Sequence, residues 1–426
     1  MRILVVGGGG REHALVWRLA QNPTVDRLFA APGNAGIARD ATCVDVRADD
    51  VEGLVELVER ESIDLTVVGP EAPLVDGLAD ELLARGRPVF GPTRAAARLE
   101  GSKAWTKDLC GRHGVPAARS VTVSTVDAGL EALDAFEPPY VVKADGLAAG
   151  KGVVIAETRG EARAALEASL LERAFGDAGA HVVLEEFLGG REVSAFALSD
   201  GKDVLPLALA QDFKRAGDGD AGSNTGGMGA YSPVPFLDEP TAERIWNDIV
   251  GRTIAAMDDE GVPYQGVLYA GVILTSDGPK VLEFNCRFGD PEAEVIVPRL
   301  RSDLGEVFLA CTEGNLSNYR AEWIEDACVT VVIASGGYPG AYETGFQISG
   351  LRAAADVDGA LVFHAGTLER DGRVVTSGGR VLAVSALGRD LERARSTAYE
   401  ACSKVAFEGA HYRRDIAQVA AGEERQ

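Results

Sequence analysis

Val141-Val-Lys-Ala-Asp-Gly-Leu-Ala-Ala-Gly-Lys-Gly-Val-Val-Ile155 is an apolar strand carrying Lys143, a loop of small residues, and a second strand that Lys151 leads into. Gly146, Gly150 and Gly152 leave this backbone free to fold closely over a polyphosphate, and the two lysines neutralise its charge. The spacing is not that of a P-loop, which needs four residues between its glycines, then Gly-Lys-Ser/Thr and a helix. In isolation the stretch also reads as a hairpin with two solvated lysines, so its neighbours decide.

Two stretches further on supply partners for it. Val182-Val-Leu-Glu-Glu-Phe-Leu188 is an apolar strand ending in paired acids, followed by Gly-Gly-Arg-Glu192. Such a strand offers backbone groups to a base edge and a carboxylate to ribose hydroxyls, although alone it reads better as an edge strand with solvated acids. In Lys280-Val-Leu-Glu283-Phe-Asn285-Cys-Arg287-Phe-Gly-Asp290-Pro-Glu292 the strand period puts Glu283, Asn285 and Arg287 on one face. Leu282, Phe284 and Cys286 are then the buried face. Two oxygen ligands two residues apart suit Mg²⁺, which keeps phosphate oxygens and waters as its other ligands. Arg287 on the same face suits a carboxylate or acyl phosphate.

Between these lies a polar, glycine-dense run from Gln211-Asp212-Phe-Lys214 to Tyr231-Ser-Pro. Bounded by apolar strands, a run of this length reads as a substrate-clamping loop. The first hundred residues alternate strand and helix: Ile3–Val6, then Glu12–Ala20, Leu65–Val68, Val75–Leu83 and Pro88–Phe90. That alternation predicts a doubly wound parallel sheet. Val5-Val-Gly-Gly-Gly-Gly-Arg-Glu-His13 brings free backbone N–H groups to a helix start, which favours a phosphate-bearing substrate. Gly7 and Gly9 open a dinucleotide fingerprint, but Glu12 stands where its third glycine belongs, which argues against NAD. Pro32–Gly36 and Gly69–Pro73 follow predicted strands, at the sheet edge where ligands bind.

Ser102 is predicted to cap a helix over Lys103–His113 that Gly114 ends. From there to about Arg320 the pattern is mixed α+β, with helices expected over about Thr125–Phe136, Arg159–Arg173 and Thr241–Asp258. The remainder is strand-rich (Cys328–Ala334, Leu361–Leu368, Arg380–Ala386), with one helix at about Asp390–Ala406. Expected domains are 1–101, 102–325 (with a lid at about 115–190) and 326–426.

The 426 residues are 46% hydrophobic, which excludes disorder, and no apolar run approaches the ~20 residues of a membrane span. Arg2–Val6 reads as a strand rather than a secretory leader, and the six cysteines have no metal or disulfide spacing, so a cytoplasmic location is expected. The net charge of −23 argues against a nucleic-acid partner. Only eight lysines are present; that lack, with the acid excess, fits either adaptation to high salt or codon bias.

Lys103, the Lys143–Gly152 loop, Glu185-Glu186-Phe187 and Glu283-Phe-Asn285, in this order, resemble the ATP-grasp superfamily. The strings GGREHAL, APGNAG, VVGPEAPL, LEGSKAW, VVKADGLAAGKGVV, QDFKRAGDGDAGSNTGGMGAYSP, LEFNCRFGDPE, ASGGYPG, FHAGT and TSGGRVL resemble its glycinamide ribonucleotide synthetase family along residues 4 to about 416. The resemblance implies ligation of glycine to 5-phosphoribosylamine with ATP as cosubstrate and Mg²⁺ or Mn²⁺ as cofactor, by a monomer. The alternative is another ATP-grasp carboxylate–amine ligase or carboxylase. It implies Lys103, Lys143 and Lys151 on ATP phosphates, with Gly146, Gly150 and Gly152 in the covering loop. Adenosine falls to Glu185, the backbone of Glu186, Phe187 and Leu188, and Glu192. Glu283 and Asn285 would ligate the metal; the preceding strand, Leu268–Ile273, offers no acid. Glycine and its acyl phosphate fall to Arg287 and Asp212, Lys214 is a further substrate-binding residue, and Lys143, Asp212 and Arg287 are the expected catalytic residues. Gly9, Gly10, Arg11, Glu12, His13 and Asn34 would face the phosphoribosylamine, its phosphate near Arg11.

Overall fold

The computed structural model describes residues 1–147, 152–174 and 176–418. Gly150 and Lys151 lie outside the described residues. β1 (Arg2–Gly7), β2 (Arg27–Pro32), β3 (Thr42–Cys43), β4 (Leu65–Val68) and β5 (Val89–Phe90) form the expected parallel sheet, in the order β3-β2-β1-β4-β5. Helices on both faces include α1 (Gly10–Leu19), whose first turn lies at the carboxyl end of β1. The helix expected over Val75–Leu83 is two pieces, Ala72–Val75 and Leu78–Ala84, because Gly77 between them takes φ +89°.

α2 (Lys103–His113) begins and ends as expected: the Ser102 hydroxyl accepts from Trp105 N–H at 3.2 Å, and Gly114 closes it at φ +65°. β6 (Ser120–Val123), β7 (Tyr140–Ala144), β8 (Val153–Ala156) and β9 (Val182–Glu186) then form an antiparallel sheet in the order β6-β9-β7-β8. The two helices beside it, Val126–Ala132 and Arg159–Leu170, stop short of the expected Phe136 and Arg173. This layer has a separate small core built on Val123, Phe136, Val142, Leu166, Val182 and Leu184.

β10 (Arg191–Asp200) and β11 (Val204–Pro206) precede β12 (Gln211–Asp212), the hairpin β13 (Arg215–Gly217) and β14 (Ala221–Asn224), and β15 (Gly229–Ser232). After them come β16 (Gln265–Thr275) and β17 (Gly278–Asn285), giving an antiparallel sheet in the order β11-β10-β16-β17. The helix expected over Thr241–Asp258 starts at Glu239 under an Asp238 cap and widens over Ile245–Gly251 before resuming at Arg252–Asp259. In β17 the alternation expected from the sequence breaks. Val272 pairs with Val281 and Gly271 with Glu283, leaving Leu282 as a bulge. Val281, Phe284 and Cys286 are therefore buried, while Leu282 is only half-buried and leaves the core face predicted for it.

β18 (Ala327–Ala334), β19 (Ala360–His364), the hairpin β20 (Thr367–Arg370) and β21 (Arg373–Thr376), and β22 (Arg380–Gly388) complete the chain's strands. The strand expected over Leu361–Leu368 breaks at Gly366, where the backbone crosses Gly378 so closely that a Cβ would lie 2.6 Å from its Cα. The last helix, Leu391–Cys402, ends before the expected Ala406, whose backbone pairs with Ser349 instead. The sheet order here is β12-β15-β18-β22-β19. Segment 211–232, sequentially in the middle of the chain, thus contributes two strands to the C-terminal sheet. Among the described residues no helix is long and apolar enough to cross a membrane.

Candidate active site

The N-terminal turn is built around Glu12. Its Oε2 accepts from Gly9 N–H at 2.6 Å, its Oε1 accepts from Arg11 Nε at 2.6 Å, and its side chain is 2% exposed. Gly7 (φ +118°) and Gly69 make room for it: a Cβ on Gly69 would lie 2.1 Å from Oε1. A carboxylate already sits in the space a dinucleotide would need. Arg11 Nη1 donates to Phe288 O at 3.1 Å, so the guanidinium predicted to hold a phosphate is engaged by the protein. Asn34 is engaged too: Nδ2 donates to Gly8 O (2.9 Å) and His364 O (2.7 Å), and Oδ1 accepts from Gly36 and Ile37 N–H. His13 Nδ1 accepts from His364 N–H at 2.7 Å. Burial first, then His364 and Arg39, lower the His13 pKa to about 3; burial and Arg39 lower that of His364 to about 4. Both imidazoles are neutral. What remains open at this turn is the half-buried backbone of Gly8 and Gly9, opposite Asp290, whose Oδ2 lies 3.3 Å from where a Gly9 Cβ would be.

The bulge at Leu282 sets the next group. Leu282 O accepts from Lys143 Nζ at 3.3 Å, and Glu283 and Asn285 follow on the half-buried side of β17. Burial would raise the Glu283 pKa, but Lys214, Lys143, Lys103 and Arg287 together bring it below the usual carboxylate range. Asn285, with its amide nitrogen set to donate to Glu100 Oε1 (3.0 Å) and Phe284 O (3.1 Å), satisfies both ends of its amide. Arg287 lies beyond the strand's end. Nε donates to Glu71 Oε2 (3.2 Å), Nη2 to Glu100 Oε1 (3.0 Å) and Nη1 to Phe288 O (3.2 Å). The guanidinium expected to hold a carboxylate or acyl phosphate is thus held by two acids and a carbonyl, leaving two of its five N–H groups.

Facing β17, Glu185 Oε2 lies 3.0 Å from both Lys143 Nζ and Lys107 Nζ, with Glu185 2% exposed. Lys103 Nζ donates to Gly146 O at 2.8 Å, and Asp145 Oδ1 accepts from Ala104 N–H at the start of α2. Burial lowers the Lys103 and Lys107 pKa values, and the neighbouring Lys143 adds to this. Two ammonium groups, those of Lys107 and Lys143, share this one carboxylate, and Lys103 stands beside Glu283 and Asp145 next to the metal-type pair. Glu185, expected at ribose, is instead bound between lysines. Glu186 turns outward to Arg119 (2.9 Å) and Phe187 is exposed.

The third group comes from β12. Lys214 Nζ donates to Glu192 Oε2 at 2.6 Å, which draws Glu192 away from the adenosine role expected for it and toward Asp212. The Asp212 pKa is pushed up to about 7 by burial, against Lys214 and with reinforcement from Glu292, Glu192 and Glu283. Glu292, buried, accepts from Ser194 Oγ at 2.9 Å, and Ser194 meets Tyr269 OH at 3.3 Å.

Lys103, Lys143, Glu185, Glu283, Asn285, Arg287, Asp212, Lys214 and Glu192 therefore converge, while Arg11, Glu12, His13 and Asn34 bond to one another and to backbone beside them. Lys107, Glu71 and Glu100 were missed. Lys107 had a signal: it is four residues after Lys103, on the same helix face. The acids had none, because their partner Arg287 is 187 to 216 residues away.

Family models match the whole architecture: the N domain of phosphoribosylglycinamide synthetase over residues 1–100, its ATP-grasp (A) domain over 101–293 and its C domain over 328–419. The chain is 49% identical over 425 residues to a phosphoribosylamine–glycine ligase of Agrobacterium fabrum, covering 100% of both. It is 50% identical over 420 residues to that of Yersinia pestis, covering 98% of each. A crystal structure of the phosphoribosylamine–glycine ligase of Thermotoga maritima superposes with a TM-score of 0.87 at 37% identity, over 98% of this chain and 100% of that one. A biotin carboxylase domain from Hydrogenobacter thermophilus, at 17% identity, TM-score 0.74 and coverage of 96% and 91%, shares the fold.

Proposed function

The chain belongs to the phosphoribosylglycinamide synthetase family, and from that premise we infer that it joins glycine to 5-phosphoribosylamine, cleaving ATP to ADP and phosphate, in purine biosynthesis. The observation that carries this reading is the convergence on one cleft of Lys103, Lys107 and Lys143, an ionised Glu283 beside Asn285, and a buried acid–lysine–arginine group.

A carboxylate resists attack by an amine, so glycine is first phosphorylated on its carboxylate by in-line transfer from ATP. Lys103, Lys143 and Lys151 neutralise the phosphates, and Lys107 pairs with Glu185 beneath them. The backbone of Glu186–Leu188 takes the adenine edge. Glu283 and Asn285 would hold Mg²⁺ or Mn²⁺: their donor set is two hard oxygens, and among the described residues no group of three or more acids, histidines or cysteines is placed to hold a metal ion. The ion would supply charge stabilisation at the transferred phosphate. Arg287 aims its remaining N–H groups at the glycine carboxylate, and Asp212 takes the glycine ammonium, with Lys214 opposing the burial that raises the Asp212 pKa. Phosphoribosylamine lies along Gly8 and Gly9, near Asp290, and its amine displaces phosphate from glycyl phosphate. We place the domains at 1–101, 102–325 and 326–426. The separate core of β6–β9 supports a lid at about 115–190 that closes over the reaction and excludes water. We take the enzyme to be a monomer, and six free thiols fit the cytoplasm.

The test uses glycine labelled with ¹⁸O in its carboxylate. One labelled oxygen should appear in the released phosphate, and ADP release should require glycine. Normal product with unlabelled phosphate would refute the glycyl phosphate route.

A further inference from the structure

Arg413 is the largest fully buried side chain among the described residues, yet it lies near the end of the chain and far in sequence from every site residue. Nε and Nη2 grip Asp415 Oδ1 and Oδ2 at 2.8 and 2.7 Å, and Nη1 donates to Asp220 Oδ1 (2.8 Å) and Arg215 O (3.0 Å). Its guanidinium carbon stands 4.9 Å from the centre of the Phe213 ring. Three further contacts run in parallel. Gly219 N–H donates to Asp415 Oδ2, Arg414 N–H donates to Asp218 Oδ1, and His411 Nε2 meets Ala216 O at 3.0 Å. Segment 411–415 therefore clasps the β13–β14 hairpin, while His411 is itself tied through its backbone to Ala334 at the end of β18.

The clasped hairpin continues directly from the glycine-side residues. Phe213, under the guanidinium, separates Asp212 from Lys214, and its own backbone is tied to Gly229 and Met228. Lys214 O accepts from Thr225 N–H at 2.7 Å. β12 has only two residues and pairs with one strand of the C-terminal sheet, too short a ladder to set two side chains by itself.

We propose that Arg413 is a positioning residue for the glycine subsite, clamping Phe213 from the C-terminal segment so that Asp212 and Lys214 stay aimed into the cleft. This rests on the reading of Asp212 and Lys214 as glycine-side groups. Only a planar, forked cation stacks on the ring while binding two carboxylates and a carbonyl, so lysine cannot replace it.

Steady-state kinetics of Arg413→Lys, with each substrate varied in turn, test this. The KM for glycine should rise about tenfold, while those for ATP and phosphoribosylamine stay within about twofold. Asp220→Asn removes only an exposed arm of the clasp, so it folds even where Arg413→Lys does not; it should raise the glycine KM about threefold. Asp212→Asn is the control on the underlying reading. If it leaves the glycine KM unchanged, the glycine assignment falls. If it raises that KM while Arg413→Lys and Asp220→Asn do not, or raise all three KM values equally, the positioning role of Arg413 is overturned.

Discussion

Two glycine-rich turns follow strands in this chain, Gly7–Gly10 after β1 and Asp145–Gly146 after β7, and they treat charge in opposite ways. At the first, the protein answers its own polar groups: Glu12 takes Gly9 N–H and Arg11, Asn34 makes four hydrogen bonds, and His13 accepts from His364. At the second, Lys107 and Lys143 share the single carboxylate of Glu185, and Lys103 reaches over to Gly146 O. The same residue type therefore has two uses. Glycine at the first turn admits a buried carboxylate that holds a shape; Gly146 at the second gives its carbonyl to Lys103.

Substitution should separate the two turns sharply. Lys143→Met and Glu283→Gln are expected to lower turnover about 100-fold with the thermal midpoint within about 2 °C of wild type. Glu12→Ala should do the reverse: it leaves Gly9 N–H and the Arg11 guanidinium without their partner, costing about 2–3 kcal/mol of stability. Turnover and melting curves for the three variants check the contrast. A stable Glu12→Ala, or a poorly folded Lys143→Met, would break it.

Acid should find the first turn before the second. An unfolded histidine titrates near 6.5, while His13 and His364 stay neutral in the fold down to about 3 and about 4. Above pH 6.5 neither state binds the proton and stability is unaffected. Below it only the unfolded chain does, so each histidine removes about 1.4 kcal/mol per pH unit until its folded pKa is reached. At pH 5 the pair accounts for about 4 kcal/mol. Denaturant midpoints of wild type and His364→Gln between pH 7 and 5 measure this; the variant should show a shallower fall, and equal slopes would show that His364 is not held neutral.

The smallest expected effect is on neither turn. With a net charge of −23, raising KCl toward 1 M should raise the melting midpoint by a few degrees as like charges are screened. A flat response would assign the lysine-poor composition to codon usage.

Much of this was legible in the amino-acid order. Alternating apolar runs and turns predicted the parallel sheet, and Ser102 and Gly114 predicted both ends of α2, because capping and backbone preference act within a few residues. The lysine loop and Glu283-Phe-Asn285 named the chemistry, since a strand's period fixes which side chains share a face.

What the order of residues left open was decided at long range. Leu282 left the core face because β16 imposes a bulge on β17, and no pattern within β17 contains that partner. Arg287 lost its freedom to Glu71 and Glu100, Lys107 joined the site through Glu185, and Glu192 turned to Lys214. β12 joined the C-terminal sheet, and Arg413 came to stand over Phe213. Local sequence determines which elements form and which chemistry they carry. Which charges neutralise one another, and which stay available to substrate, depends on distances of a few ångströms between groups hundreds of residues apart, and only the packed chain sets those.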